Sequence, residues 1–173
     1  MRRSLPPTRE TLVKVYYFSA FATWMPDAYK RHRAYVSALE SSGVTVVLGK
    51  FKEKRQFCKT CQNSYLSHEE KETDVNLALT MLFEAMQHSF DKAIVVTGDA
   101  DLKPAVKMIK KYDPSFIVNS LLPKNRFRAS YDFRSLCDSN QKFGIEHLEK
   151  SLFPETITTS DGKIIECPEA YRR

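Results

Sequence analysis

The stretch 94-IVVTGDADLKPAVKMIKKY-112 decides how this chain is read. Ile94, Val95 and Val96 close an apolar run with the branching of a buried strand. Thr97 and Gly98 break it, and from Leu102 to Tyr112 apolar residues recur at helical spacing. A strand therefore runs through a tight turn into a helix, with Asp99 and Asp101 inside the turn. Two like charges at alternate positions repel, so they either cap the helix or hold something positive. Asp101 is well placed as an N-cap. Capping does not account for Asp99, two residues earlier.

On both sides of this stretch, strand and helix patterns alternate. The run 12-LVKVYYFSA-20 predicts a buried strand, Pro26 opens a helix to about Ser42, and Gly43 stands where a helix-ending glycine belongs. A second strand is expected over 44-VTVVLGKF-51, with a loop around Cys58 and Cys61. A long helix follows over Glu72 to Ser89, its expected buried stripe being Val75, Leu79, Leu82, Phe83 and Met86. The run 115-SFIVNSLLP-123 predicts another strand, 128–139 reads as helical, and 155-ETITTSDGKIIEC-167 reads as a hairpin around Asp161-Gly162. This alternation predicts an α/β fold with a mainly parallel sheet flanked by helices.

In open α/β sheets, ligands bind at the carboxyl ends of the strands. Asp99 and Asp101 fall at that end of the clearest strand. Asp74, in 71-KETDVNLAL-79, opens the preceding long helix, where the helix dipole favours an acid. Converging carboxylates raise one another's pKa unless a cation neutralises them, and hard oxygen ligands suit Mg²⁺ or Mn²⁺. Such an ion activates water and offsets charge on a phosphodiester. Capping and dipole effects explain Asp101 and Asp74 singly, and stand as the structural alternative.

The chain of 173 residues is 42% hydrophobic and carries a net charge of +6. It has no run of about 18 apolar residues, so no membrane span is expected, and no apolar stretch follows its charged leader, so no secretory signal is expected. A cytoplasmic setting follows, with Cys58, Cys61, Cys137 and Cys167 reduced or metal-bound. Cys58 and Cys61 have the spacing of half a zinc site, with His68 the nearest further candidate. Positive charge clusters at Lys50, Lys52, Lys54, Arg55 and Lys59, and again at Lys124, Arg126 and Arg128. Phe51, Phe57, Tyr65 and Phe127 lie among these charges, a composition suited to phosphate contact and base stacking.

The segments 69-EEKETDVNLALTMLFEA-85 and 94-IVVTGDADLKPAVKMIKK-111, supported by 14-KVYYFSA-20, 33-RAYVSALESSGVTVVLGKFKEK-54, 147-HLEKSLFP-154 and 161-DGKII-165, resemble the NYN domain, the LabA-like branch of the PIN-like nuclease superfamily. The resemblance implies a PIN-like (Rossmann-like) three-layer sandwich and a metal-dependent ribonuclease with an Mg²⁺ or Mn²⁺ site. The matching acids are Asp74, Asp99 and Asp101, and Thr97 stands where the family places a serine near metal-bound water or phosphate. The family's first strand, with its D-G-x-N motif, has no counterpart here, and Thr80 stands where members often carry an acid.

Together these expectations give a PIN-like domain over 1–150, its first strand missing, and a tail with a short hairpin over 151–173. Its expected function is hydrolysis of RNA, with single-stranded RNA the candidate form and a homodimer covering the exposed sheet edge. The alternative is a catalytically impaired module that binds nucleic acid or protein. A haloacid-dehalogenase-type phosphatase also uses D-x-D after a strand, but there the nucleophile lies on the first strand, whereas 99-DADLKP-104 comes late.

Overall fold

In the computed structural model, which describes residues 10–172, parallel crossover units make the frame. β1 (Tyr16–Ser19) leads through α1 (Pro26–Ser41) to β2 (Thr45–Leu48), which pairs with it in parallel from Tyr16↔Thr45 to Ser19↔Leu48. Pro26 at the first turn of α1 fits because that position needs no backbone N–H. The chain next forms an antiparallel hairpin, β3 (Lys50–Phe57) and β4 (Ser64–Lys71), and enters α2 (Thr73–Met86).

The 92–112 stretch then folds as its pattern predicts: β5 (Lys92–Val95), a 3-10 turn over Ala100–Leu102, and α3 (Lys103–Tyr112). β6 (Ile117–Pro123) lies parallel to β5. After the single turn of α4 (Tyr131–Arg134), β7 (Ser139–Phe143) pairs in parallel with β6. α5 (Ile145–Glu149) leads to the hairpin β8 (Thr156–Thr158) and β9 (Ile164–Glu166). Gly162 turns this hairpin at φ +80°, a left-handed conformation that favours glycine, and β9 packs against α1.

The core joins α2 and α3 to the second sheet: Met81, Ala85, Val95, Leu102, Val106, Ile109, Phe116, Val118 and Phe133. Fully burying an aliphatic or aromatic side chain of this size contributes about 1.5–3 kcal/mol. Among the described residues no helix is long and apolar enough to cross a membrane.

Several sequence expectations are corrected. The first strand begins at Tyr16, and Leu12, Val13 and Val15 before it are exposed. The run 44–51 splits at Gly49, its end becoming the start of the β3–β4 hairpin. Helix over 128–139 shrinks to one turn, and the segment ends as β7. Within α2, Val75, Leu79, Phe83 and Met86 point outward, each more than half exposed, while Met81, Glu84 and Ala85 are buried. α2 is apolar on two sides, so periodicity alone could not choose the side that meets the sheet. The strands also form separate ladders, β1-β2 and β5-β6-β7, rather than one sheet. One edge of β1 and one edge of β5 lack a strand partner among the described residues.

Candidate active site

Gly98 fixes the turn that follows β5. A Cβ at this position would run into the Ser130 hydroxyl and stand 2.8 Å from Ser130 Cβ, so only glycine fits. Ser130 is buried, and its Oγ donates to the Arg126 carbonyl at 3.2 Å. The acidic turn is thereby seated against the loop that carries Lys124, Arg126 and Arg128. The Asp99 N–H donates to Thr97 Oγ1 at 3.3 Å, and the Asp101 N–H donates to Asp99 Oδ1 at 2.9 Å. Asp99, not Asp101, is thus the cap of the 3-10 turn. This corrects the cap expected at Asp101: a short 3-10 turn precedes α3, which moves the cap two residues toward the strand. Leu102, at the N-cap of α3 itself, has no side-chain acceptor to offer.

Asp74 sits in the first turn of α2. Its carboxyl titrates above the ordinary aspartate value, first through loss of water by burial, then through the negative charges of Asp99, Glu70 and Asp101. The three aspartates singled out from sequence therefore share one electrostatic environment. Glu70 is a fourth acid that sequence reasoning missed; it lies four residues before Asp74 at the end of β4. Thr73 Oγ1 donates to Glu70 Oε1, which holds that acid at the start of the helix. A carboxyl crowded in this way by neighbouring carboxylates is chemically suited to a hard divalent cation. Among the described residues, however, no three His, Cys, Asp or Glu side chains converge closely enough to ligate one ion as they stand.

The NYN domain family model matches residues 4–144. The chain belongs to the NYN domain family. NYN domains are PIN-like nuclease superfamily domains, which places the chain in a nuclease-like, RNA-related group. A curated relative, 6-hydroxy-3-succinoylpyridine 3-monooxygenase HspA of Pseudomonas putida (strain DSM 28022 / S16), is 43% identical over 44 residues. That match spans 25% of this chain and 14% of the relative. No solved structure matches.

The basic residues of this NYN domain differ in how free they are. Lys50 is ion-paired with Glu72, Lys54 lies 3.8 Å from Glu69, and Lys124 lies 2.6 Å from Glu146. Lys52, Arg55, Arg126 and Arg128 make no ion pair among the described residues. The loop after β6 thus offers two unpaired guanidinium groups, Arg126 and Arg128, on the segment against which Gly98 rests. Phe127, expected as a stacking platform, already carries Arg134 and Lys142 against its ring, at 3.8 and 4.2 Å from the centroid.

Cys58 and Cys61 share the turn of the β3–β4 hairpin, where the Cys61 backbone N–H lowers the Cys58 thiol pKa. The structure does not bring His68 to them. It lies four residues beyond Ser64 on β4, about 13 Å along the strand, stacked on Trp24 with ring centroids 3.6 Å apart. Trp24 was not singled out from sequence, because its partner is 44 positions away and no periodicity links the two. Cys137 packs against the core as expected, and burial raises its thiol pKa.

Proposed function

We propose that this chain is a metal-dependent ribonuclease-like protein of the LabA-like branch, hydrolysing phosphodiester bonds of RNA, single-stranded at the point of cleavage, in the cytoplasm. The observation that carries the reading is the crowding of Asp74 by Asp99, Glu70 and Asp101 beyond the carboxyl end of β5. Asp74, Asp99 and Asp101 would hold Mg²⁺ or Mn²⁺, which supplies an activated water and offsets charge on the phosphate. Asp99 keeps one oxygen on the Asp101 N–H, so its second oxygen is the one left for an ion. Thr97 shapes the turn, and Arg126 and Arg128 would grip the RNA backbone, giving salt-dependent binding with little sequence reading.

The test is incubation of purified protein with single-stranded RNA and DNA in Mn²⁺ or EDTA, alongside Asp99→Asn. Asparagine retains an oxygen acceptor for the Asp101 N–H while losing the charge, so the turn survives and the site does not. Cleavage that ignores EDTA, or that persists in the variant, refutes the reading. One observation favours a second reading, a catalytically impaired binding module: among the described residues no three acids converge on a common point. Binding of RNA without cleavage in Mn²⁺ would select it.

A further inference from the structure

Beyond the carboxyl ends of β1 and β2 lies a cavity of about 480 Å³, lined by Phe21, Trp24, Lys50, Phe51, Glu53 and His68 among others. Its volume falls in the range of small-ligand sites, roughly 300–1,000 Å³. Three separate elements build it. Trp24 comes from the turn after β1, closed by the Met25 N–H on the Ala22 carbonyl at 3.0 Å. Lys50, Phe51 and Glu53 come from β3, and His68 from β4. The His68 imidazole lies parallel to the Trp24 indole, 6° between planes, and Phe51 stands nearly perpendicular to it at 4.7 Å. These contacts fix the indole in position, yet Trp24 remains 39% exposed. His68 covers one face of the indole, and the part-exposed remainder, beside Lys50, has the composition of a base-stacking platform.

The cavity also adjoins the acidic site. Its wall at Gly49 lies so close to α2 that a Cβ there would stand 2.7 Å from Thr73 Oγ1, next to Asp74. Lys50 is ion-paired with Glu72 at the same helix start. We infer that this cavity receives one unpaired nucleobase of a single-stranded RNA, stacked on Trp24, whose backbone leaves past the N-terminus of α2 toward the acidic turn. Glu53 offers an acceptor to an amino group on the base edge, and Lys52, which makes no ion pair among the described residues, lies beside the departing phosphate. The inference rests on the RNA reading of the acidic site, but it concerns binding and does not require cleavage.

Trp24 is the sole tryptophan of the chain, so its fluorescence reports the cavity directly. The experiment titrates metal-free protein in EDTA with a short oligoadenylate, an abasic oligonucleotide of equal length and charge, duplex RNA, and AMP. Saturable quenching by the oligoadenylate, with the abasic chain and the duplex binding without quenching, is the expected result. Trp24→Ala should weaken oligoadenylate binding about ten-fold, as loss of one base–aromatic stack implies, and Trp24→Phe should recover most of it. If Trp24→Ala is poorly folded by circular dichroism, protection of the Trp24 indole from acrylamide quenching by bound oligoadenylate in the parent protein supplies the comparison. RNA that binds without disturbing or shielding Trp24, and with equal affinity in a folded Trp24→Ala variant, overturns the inference and leaves the nuclease proposal standing. Quenching without any cleavage in Mn²⁺ supports it while the nuclease proposal falls. Quenching by AMP as strong as by the oligomer overturns it in favour of a free-nucleotide site.

Discussion

Glu84 ties the first sheet to α2, and its replacement makes a quantitative test of the architecture. The carboxylate is 8% exposed and accepts from Lys14 Nζ at 2.8 and 3.0 Å and from the Tyr16 hydroxyl. The Lys14 bond is the leading cause that pulls its pKa from 4.5 to about 2, with Tyr16 and Ser89 adding to it. At about 1.4 kcal/mol for each pH unit, that corresponds to at most about 3.5 kcal/mol of folding stability. Lys14 is half exposed, and solvent screening trims the figure to about 1.5–2 kcal/mol. The folded chain holds this carboxylate ionised to lower pH than the unfolded chain does. Its contribution is therefore complete above pH 4.5 and is lost as pH falls toward 2. Urea unfolding followed by circular dichroism, comparing the parent with Glu84→Gln, should show a gap of about 1.5–2 kcal/mol at pH 7. Below pH 4.5 the gap should shrink, nearly closing near pH 2. A gap that stays constant from pH 7 to pH 2 would refute the ion pair as its source.

Gly98→Ala should cost about 1–3 kcal/mol through overpacking against Ser130, read as a lower thermal midpoint; adding Ser130→Gly should restore most of it, and a double variant no better than the single would refute the contact. Alkylation with iodoacetamide at pH 7 should modify Cys58 before Cys137, because the Cys61 N–H lowers the first thiol's pKa while burial raises the second's; the reverse order by peptide mapping would contradict this. A second copy covering the free edges of β1 and β5 predicts concentration-dependent dimers in sedimentation velocity, and a folded, strictly monomeric protein at high concentration would count against it.

What the sequence revealed depends on how local each signal is. The strand–turn–helix of 92–112 was legible because an apolar run, a glycine and a helical period sit side by side. Asp74, Asp99 and Asp101 were legible as one electrostatic group because two such local signals lie at the same edge of the fold. The β3–β4 hairpin was not, since KFKEKRQF is mostly charged, with few apolar residues to mark a face. The outward stripe of α2 was misassigned because Leu77, Met81 and Ala85 form a second apolar side that wins the sheet. The move of the cap from Asp101 to Asp99 turned on one 3-10 turn, a difference of two residues below the resolution of periodicity. The Trp24–His68 stack joins a loop to a distant strand, and only the folded chain brings them together.

α2 is packed against both β1 and the α3 layer, while no backbone ladder joins the two parallel sheets among the described residues. The cavity at Trp24 belongs to one side of that seam and the TGDAD turn to the other. Their separation is thus set by side-chain packing along a single helix, which makes α2 the hinge pin of the molecule. Amide hydrogen exchange should show the two sheets opening as independent cooperative units, with α2 protected until the later of the two lets go.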